Sequence, residues 1–476
     1  MLFNLEDLKL ALGKNLVHVD ENYNFAINNV VFDSREVTIN TLFIAKKGER
    51  NDGHNFIGSV LEVHKDAVVL AERLPDGVEK NSRIILVDNT LSAFENLAIY
   101  ARNRIRGHVI GITGSIGKTS TKDITYRVLS QYGKSFCSQQ SFNGHIGVLT
   151  TLANTPADTE FAIFEMGVNC VGEMDVIRNL VNPEVAIILN IKPSHISCFQ
   201  SEENIAIEKS KIVTKETKAV ILNSGDKWFS FLNNRIGGQV DKIITFDITD
   251  KADIYLKKHG VNGDVAEVIY GVGGKEYSHG LKNVDHNVAF NAMAALALVK
   301  YFNLDAAEAM EAISSFDTTR GRNNIEYANY VHNGKPVSLT IINGSYNAVI
   351  PDAFIGGLKL MESIFSRGDN YRKVCLWGDM LETGDRADEF HLGLRKSVVK
   401  SRIDLLITVG DNMKKLNDSL WSASMVRIHF NDIYSLVNDI KNILRDKDLV
   451  FIKSSKGVKT YEVLNALVEN KMKLFV

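Results

Sequence analysis

The sequence predicts an α/β protein of three domains. At 476 residues the chain is too long for one ordinary hydrophobic core, which favours two to four domains. Near-continuous runs of Val, Ile and Leu alternate with helical patterns, as in parallel sheets that are buried on both faces. We therefore expect a small mixed α/β N-terminal domain over 1–103, a central P-loop parallel-sheet domain over 104–318, and a C-terminal Rossmann-like open α/β domain over 319–476.

The first domain mixes short strands with turns and ends in an amphipathic helix. The helix is expected over 91–104, where apolar residues recur at helical spacing. Short β-branched runs bounded by turn residues predict the strands over 29–32, 41–45, 66–70 and 83–87.

The central and third domains both follow the strand–helix alternation of a parallel sheet. In the central domain an alanine-rich helix over 287–302 precedes a boundary turn at 318–322. The central strands are expected over 109–113, 161–165, 185–190 and 219–222, with alternation continuing to about 318. The third domain is expected to have strands over 374–377, 405–409, 426–430 and 449–453, and helices over 389–399, 433–444 and 461–469.

Composition excludes several classes of function. Lys and Arg (55) nearly balance Asp and Glu (57), so no basic field favours nucleic acid as a partner. No apolar stretch reaches the roughly 20 residues of a membrane span, and the N-terminal residues lack a signal-peptide pattern. The four cysteines are widely spaced, which predicts reduced thiols and a cytoplasmic protein.

The segment 108–122 carries the strongest functional signal. A β-branched run leads into Thr113-Gly-Ser-Ile-Gly-Lys-Thr119, and a helical pattern follows. Such a turn cradles phosphate, because backbone N–H groups and the helix dipole attract the anion, the lysine adds charge and a hydroxyl can hold Mg²⁺. The general G-x-x-x-x-G-K-[ST] spacing is not met, since position 112 is Ile. The segment nevertheless predicts binding of a nucleoside triphosphate.

Further polar residues follow the central strands at their carboxyl ends, where open α/β sheets bind ligands. Glu165 ends one strand and offers a carboxylate to Mg²⁺, although a solvated Glu is the simpler alternative. His195 follows the next strand, and Lys209 and Lys211 lie in the helical segment after it. On spacing alone, a structural histidine and two solvated lysines are the more common outcome.

These segments together resemble the Mur ligases, the ATP-dependent amide-forming enzymes of peptidoglycan precursor synthesis. The resemblance covers essentially the whole chain in the right order. In the central domain it rests on Thr113-Gly-Ser-x-Gly-Lys-Thr119, Glu165-Met-Gly-x-Asn169, His195, the helix with Lys209, and His286-Asn287-x-x-x-Asn291-Ala. In the outer domains it rests on Asp33-Ser-Arg35, the segment 42–56, Ser345-Tyr-Asn347-Ala, Gly378-Asp-Met-Leu-Glu382 with His391, and Lys453-x-Ser-Lys-Gly457.

The resemblance implies a reaction and its partners. ATP would phosphorylate the terminal carboxylate of a UDP-N-acetylmuramoyl-tripeptide, and the amine of D-alanyl-D-alanine would then displace phosphate through a tetrahedral intermediate. The third residue of the tripeptide, a diamino acid such as meso-diaminopimelate or lysine, stays open. The implied cofactors are ATP and two Mg²⁺ ions, and we expect a cytoplasmic monomer without nucleic acid or membrane partners.

The resemblance also implies roles for individual residues. Lys118 would neutralise the β- and γ-phosphates, and Thr119 and Glu165 would share one Mg²⁺. His195 and a carbamylated Lys209 would hold the second Mg²⁺, so Lys118, Lys209, His195 and Glu165 are the expected catalytic residues. The expected ATP-binding residues are Gly114, Ser115, Gly117, Lys118, Thr119, Ser120, Asn287, Asn291 and Arg322. The expected substrate-binding residues are Ser34, Arg35, Lys47, Asp52, His54, Asn143, Tyr346 and Asn347.

The chain departs from the family pattern mainly in its third domain. Asn343 and Gly344 stand where an acidic pair is usual, and Val349 replaces the second Asn of the motif that follows. Lys456 stands where arginine is usual, which loses bidentate geometry, and Cys170 replaces a histidine in the central domain. The metal and phosphate groups of the central domain are intact, which favours a working enzyme.

Two alternatives stay open at this point. The chain could catalyse another Mur-type ligation, or it could be a nucleotide-binding relative whose catalysis has decayed. The first-domain segments argue against a folate-polyglutamate ligase, and a GTPase is disfavoured because the chain lacks an Asn-Lys-x-Asp segment.

Overall fold

Three β-sheets, of five, nine and six strands, follow one another along the chain. They lie within the three predicted segments and confirm the α/β class, while the boundaries at 103 and 318 stay predictions. Within the part of the chain that is described, no helix is long and apolar enough to cross a membrane. The computed structural model describes residues 1–48, 51–262, 265–346, 348, 350–365 and 371–467.

The first sheet has the order β1-β5-β4-β3-β2 and is parallel except for β1, which runs antiparallel to β5. Its strands are β1 Leu16–His18, β2 Asn29–Val31, β3 Thr41–Ile44, β4 Val68–Ala71 and β5 Ile84–Val87. Its helices are α1 Leu5–Leu12, α2 Ile57–Val63 and α3 Thr90–Arg104, with 3₁₀ turns at Gly13–Asn15, Ser34–Glu36 and Gly53–Phe56. Helix α3 begins where the Asn89 side chain accepts a hydrogen bond from the backbone of Ser92, so this cap sets its start.

The central sheet has the order β14-β13-β12-β11-β10-β9-β6-β8-β7. Its strands are β6 His108–Thr113, β7 Ser135–Cys137, β8 Phe161–Glu165, β9 Val185–Ile188, β10 Ala219–Asn223, β11 Lys242–Asp247, β12 Ile254–Asn262, β13 Val265–Val272 and β14 Lys275–Leu281. Its helices are α4 Lys118–Leu129, α5 His145–Asn154, α6 Glu173–Val181, α7 Ile196–Phe199, α8 Glu202–Ser210, α9 Phe229–Ile236, α10 His286–Tyr301 and α11 Ala306–Ser314. The strands from β7 to β12 are parallel, as predicted for the β-branched runs.

The expectation of strand–helix alternation up to about 318 is wrong over 254–281. There β12, β13 and β14 form an antiparallel extension of the sheet. Exposed charged residues alternate with buried ones along these strands, and Lys257 pairs with Glu276 across the extension. One face of the extension is therefore polar, and the buried-run signal used for parallel strands does not detect it.

The third sheet has the order β15-β16-β20-β17-β18-β19 and is parallel except for the hairpin of β15 and β16. The analysis of β-branched runs missed this hairpin, and the helix expected over 389–399 is in fact two helices. The strands are β15 Asn324–His332, β16 Lys335–Gly344, β17 Arg372–Gly378, β18 Leu405–Val409, β19 Val426–Phe430 and β20 Asp448–Lys453. The helices are α12 Pro351–Phe365, α13 Ala387–Gly393, α14 Arg395–Lys400, α15 Asp411–Ser419, α16 Ile433–Ile443 and α17 Tyr461–Leu467, with 3₁₀ turns at Gly384–Arg386 and Lys456–Val458.

One buried apolar cluster connects the first and central sheets. It includes Phe3 in the first domain, Leu97 on α3 and Ile110 on β6. Helix α3 packs against α1 on one side and α5 on the other, so it bridges the two sheets. The first domain is therefore held against the central domain by apolar packing, which fixes the face that it presents to a substrate.

The expectation that all four thiols are reduced is wrong for one pair. Cys170 and Cys198 form a disulfide, with their Cα atoms 5.3 Å apart. Their sequence separation of 28 gave no pattern, but the fold brings the loop after β8 next to helix α7. Cys137 and Cys375 are free, and burial raises the pKa of the Cys137 thiol to about 11. The cysteines therefore no longer support a reducing compartment.

Candidate active site

The phosphate loop lies between the end of β6 and the start of α4. Gly117 has φ of +87°, a left-handed conformation that favours glycine. A Cβ atom at this position would lie 2.9 Å from Oδ1 of Asn291, so the Asn291 side chain is in direct contact with the loop. A ligand bound at the first turn of α4 would therefore also meet Asn291, one of the two asparagines predicted to bind ATP.

The Lys118 side chain folds back over this loop. Its ammonium donates to the carbonyl oxygen of Gly114 at 2.8 Å. Desolvation lowers the pKa of Lys118, the Glu165 carboxylate raises it, and the Arg322 guanidinium lowers it again. A phosphate would replace the carbonyl as partner and restore the charge of the ammonium.

Ser115 ties the loop to the segment that follows β9. Its hydroxyl donates to the carbonyl oxygen of Lys192 at 2.8 Å and accepts from the Lys192 backbone N–H at 2.9 Å. The backbone of Ile116 is bound on both sides by the Asn190 side chain. Both hydrogen bonds of the Ser115 hydroxyl thus hold the loop in shape. Ser120, which was also predicted to bind ATP, follows Thr119 on α4 and is half-buried.

Glu165 offers an unsatisfied oxygen at the end of β8. The side chain is 1% exposed, and its Oε1 accepts from the Asn143 amide at 2.7 Å. Its Oε2 is buried and has no hydrogen-bond partner among the described residues. A buried carboxylate oxygen without a partner is costly, and a bound Mg²⁺ would satisfy it. Asn143, predicted to bind substrate, here positions this carboxylate.

The donor set around Glu165 suits Mg²⁺ that is shared with a ligand. No cluster of three or more His, Cys, Asp or Glu side chains that could hold a metal occurs in the described ranges. Mg²⁺ needs no such cage, because it usually keeps water and phosphate oxygens beside one or two protein carboxylates. Glu165 and the Thr119 hydroxyl fit that requirement.

Lys209 differs sharply from its neighbour Lys211. Lys209 is 1% exposed, and its ammonium makes no hydrogen bond or ion pair with any residue that the structure describes. Burial, followed by the charge of Lys118, lowers the pKa of Lys209 well below its usual value. Lys211 instead pairs with Asp175 at 2.7 Å and Glu208 at 2.8 Å, and its pKa is raised. Of the two lysines, only Lys209 has a lowered pKa, which favours the neutral amine that carbamylation needs.

His195 connects the central domain to the third. It has φ of +52°, and its Nδ1 is bonded to the carboxylate of Glu382. Desolvation lowers the pKa of His195, while Glu382 raises it. The Ser197 hydroxyl donates to the Glu382 carbonyl at 3.2 Å, so the loop after β17 docks on the start of α7. Glu382 was quoted in a motif but was not predicted as a site residue.

Arg322 and Tyr346 bring the third domain to the phosphate loop. The Arg322 guanidinium donates to the Thr119 hydroxyl at 3.0 Å and lies 4.9 Å from the centre of the Tyr346 ring. Tyr346 also bonds the Ser141 hydroxyl at 2.7 Å and lies under the Lys456 ammonium. Arg322 is therefore within reach of a phosphate at the loop. Asn347 and Val349 lie outside the described residues.

A cavity of about 310 Å³ adjoins the tip of the phosphate loop. It lies between Ile116, the first residues of α10 and one face of α12, and its wall includes Asn287 and Lys359. The Asn287 amide donates to Asp285 at 2.9 Å, which holds the start of α10 in place. The cavity is the place next to the loop where a nucleoside would fit.

In the first domain, Ser34 and Arg35 form a 3₁₀ turn. The Arg35 guanidinium bonds Asp33 at 2.6 Å, which lowers the pKa of that carboxyl. The side chain of Arg35 is 60% exposed and can also meet a ligand. Among the described residues, neither Ser34 nor Arg35 has a hydrogen bond or ion pair with Glu165. Their role in substrate binding therefore depends on a ligand that spans both domains.

The second first-domain segment is held by Asp52. Burial raises the pKa of Asp52, but hydrogen bonds from His54 and Arg73 lower it to about 2. His54 is 0% exposed and bonds Asp52 through Nδ1 at 2.6 Å. The expectation that His54 contacts substrate is therefore wrong in this conformation, because its ring supports the loop from inside. The backbone of Lys47 forms an isolated β-bridge with Asp52, and Lys47 is exposed. Lys47 therefore stays a candidate for substrate binding.

Comparisons with known proteins agree with this geometry. A model of the Mur ligase middle domain matches residues 112–299. The chain is 30% identical over 455 residues to the UDP-N-acetylmuramoyl-tripeptide–D-alanyl-D-alanine ligase of Bacillus subtilis, and 94% of each chain is covered. It resembles the structure of MurF from Acinetobacter baumannii with a TM-score of 0.79 at 22% identity, over 98% of both chains. For MurF of Thermotoga maritima in complex with ADP the TM-score is 0.73 at 22% identity, over 92% of this chain and 97% of the other.

Proposed function

The chain belongs to the Mur ligases, in the family of UDP-N-acetylmuramoyl-tripeptide–D-alanyl-D-alanine ligases, and on this premise we propose that it forms an amide bond at the expense of ATP. The acid is the terminal carboxylate of a UDP-N-acetylmuramoyl-tripeptide, and the amine is that of D-alanyl-D-alanine. The reaction is a step of peptidoglycan precursor synthesis. Both the sugar nucleotide and ATP are cytoplasmic metabolites, so we place the reaction in the cytoplasm. We also expect the protein to be a monomer.

One observation carries the proposal beyond nucleotide binding. The buried Lys209 amine has no partner among the described residues, and the charge of Lys118 in the phosphate loop acts on it. A plain nucleotide-binding domain has no use for a second buried lysine beside its phosphate lysine. The deprotonated amine of Lys209 would react with CO₂ and release a proton, which leaves a carbamate anion. That anion is attracted to the charge of Lys118 and provides a metal ligand.

The residues divide the work of phosphoryl transfer. Lys118 and Arg322 bind phosphate oxygens, and Glu165 with Thr119 would hold one Mg²⁺ while His195 with carbamylated Lys209 would hold a second. When bound, the metal ions neutralise the charge that otherwise keeps a carboxylate away from the γ-phosphate. Asn143 fixes the orientation of Glu165, so the carboxylate does not have to reorganise during the transfer.

The second half of the reaction joins the amine to the activated carboxyl. The tripeptide carboxylate, once phosphorylated, has phosphate as its leaving group, and the dipeptide amine attacks the carbonyl carbon. The tetrahedral intermediate then collapses, the C–N bond remains and phosphate leaves. The docking of Glu382 on His195, and of Arg322 on Thr119, brings the third domain and its dipeptide to the phosphate loop.

The experiment is a component-omission assay. The purified chain is incubated with UDP-MurNAc-tripeptide, D-Ala-D-Ala and Mg·ATP, and phosphate release is followed for tripeptides that end in lysine or in meso-diaminopimelate. We expect release that requires all three substrates. Nucleotide binding without release in any complete mixture would contradict the proposal and favour decayed catalysis. Release with an amino acid in place of D-Ala-D-Ala would indicate another Mur-type step.

A further inference from the structure

Lys453 is a second buried lysine, at the end of β20 in the third domain. It is 5% exposed, and its ammonium makes no hydrogen bond or ion pair with the residues that the structure describes. Its register partner on β16 is Gly344, where an added Cβ would lie 2.7 Å from Cδ of Lys453. The lysine stem therefore occupies the space that a side chain at 344 would take, and the ammonium lies at the carboxyl edge of the sheet.

The charged groups that act on Lys453 leave it without a counterion. They are Arg322, which repels it, and Asp285, which attracts it. Asp285 already accepts two hydrogen bonds from Asn287, both at 2.9 Å. The next carboxylate along the neighbouring strands, Glu326, is bound by Arg320, Asn324 and Asn343. The carboxylate nearest in charge to Lys453, that of Asp285, is therefore largely used by Asn287.

The position of these neighbours tells which anion is missing. Arg322 is bonded to Thr119 in the phosphate loop, and Asp285 lines the cavity where a nucleoside would fit. Gly344 places Lys453 beside the Arg322 segment: a Cβ added at 344 would lie 2.7 Å from Cδ of Lys453 and 2.7 Å from Oδ1 of Asn323, the residue after Arg322. Lys453 therefore lies near the path from the nucleoside to the terminal phosphates. A nucleoside polyphosphate is the anion that would pass along this path.

We propose that Lys453 binds the phosphate chain of the nucleotide and takes up a proton from solvent as the nucleotide binds. The proposal rests on the ATP-dependent function proposed above and adds a residue that the sequence assigned to no role. Burial lowers the pKa of unliganded Lys453 to about 7, with Arg322 lowering it further and Asp285 opposing both. A polyanion beside the amine stabilises the ammonium and moves the pKa back up.

The sign of the proton exchange follows from these states. At pH 8 most unliganded Lys453 is neutral, so nucleotide binding takes up about one proton at this residue. At pH 6 most Lys453 is already protonated, so nucleotide binding adds no further proton at this residue. Lys118 also has a lowered pKa, so the informative quantity is the difference between the wild-type chain and a variant at 453.

The test is calorimetric titration of the full chain with MgADP, in buffers of different ionisation enthalpy, at pH 6 and pH 8. Lys453→Met removes the charge from a buried site with little change in volume. Lys453→Arg keeps the charge but cannot release its proton. Lys414→Met, at an exposed lysine paired with Asp418 in the same domain, is the matched control.

We expect Lys453→Met to bind MgADP at least about tenfold more weakly at pH 6, the loss of one charge-assisted contact. At pH 8 it takes up about one proton less than the wild type. Lys453→Arg is expected to bind MgADP without taking up that proton, which distinguishes loss of the titrating group from misfolding of the variant. Lys414→Met is expected to match the wild type. Wild-type affinity and proton uptake in Lys453→Met overturn the proposal while the ligase function stands. A Lys453→Met effect confined to the KM for D-Ala-D-Ala overturns it in favour of a dipeptide carboxylate, and absence of MgADP binding by the wild type overturns both proposals.

Discussion

Asn143→Ala tests how the protein prepares its metal carboxylate. The Asn143 amide is the one hydrogen-bond donor to the Glu165 side chain among the described residues, at 2.7 Å, and the carboxylate is almost fully buried. Without it, both oxygens of Glu165 are unsatisfied unless a metal binds. A hydrogen bond to a charged group contributes about 1.5–3 kcal/mol, and loss of a residue that orients a metal ligand typically costs about 10- to 100-fold in metal affinity or activity.

The assay is the Mg²⁺ dependence of ATP-driven phosphate release. We expect the half-saturating Mg²⁺ concentration of Asn143→Ala to rise about 10- to 100-fold. Asn154→Ala is the matched control, because Asn154 also makes partly buried hydrogen bonds, to the backbone of Val30 at 2.7 and 2.8 Å, and none of its hydrogen bonds within the described part of the chain involves Glu165. An Mg²⁺ dependence that is unchanged in Asn143→Ala, or equally shifted in both variants, would refute this account of Glu165.

Two further predictions concern the disulfide and the first domain. If Cys170 and Cys198 are bonded as in the structure, alkylation followed by mass spectrometry finds two free thiols in the untreated chain and four after reduction; four in both samples contradicts the bond. The lowered pKa of Asp52 stabilises the fold above the usual carboxyl pKa, and this contribution is lost as pH falls toward about 2. Asp52→Asn should therefore flatten the acid limb of the stability profile, measured by circular dichroism, and an unchanged limb would count against the pairing with His54.

The buried parallel strands could be predicted from the sequence because their signal is local. The strand predicted over 161–165 is β8, and the helix predicted over 91–104 is α3, which begins one residue earlier. The antiparallel strands over 254–281 escaped because one of their faces is polar. The hairpin of β15 and β16 was missed although Asn333-Gly334, which joins the two strands, is a hairpin turn signal. A prediction based on continuous apolar runs finds only strands that are buried on both sides.

The candidate site could be predicted only in part. The phosphate loop and Glu165 each carry a local signal, since they follow strands whose carboxyl ends meet at one edge. Lys209 was indicated only by the family resemblance, because its spacing alone favours a solvated lysine. Glu382 and Lys453 escaped because their roles depend on how the third domain lies against the central one, and sequence spacing says nothing of that. The burial of His54 depends in the same way on packing that no motif encodes.

The measurement that tests the central claim most directly compares Lys209→Ala with Lys211→Ala in the complete ligation assay. Lys209 would hold the second metal as its carbamate, whereas Lys211 forms ion pairs with Asp175 and Glu208. We expect Lys209→Ala to lose ligation by about a hundredfold or more while still binding nucleotide, and Lys211→Ala to stay within about threefold of the wild type. Ligation that survives Lys209→Ala would show that the carbamate assignment, and with it the second metal site, is wrong.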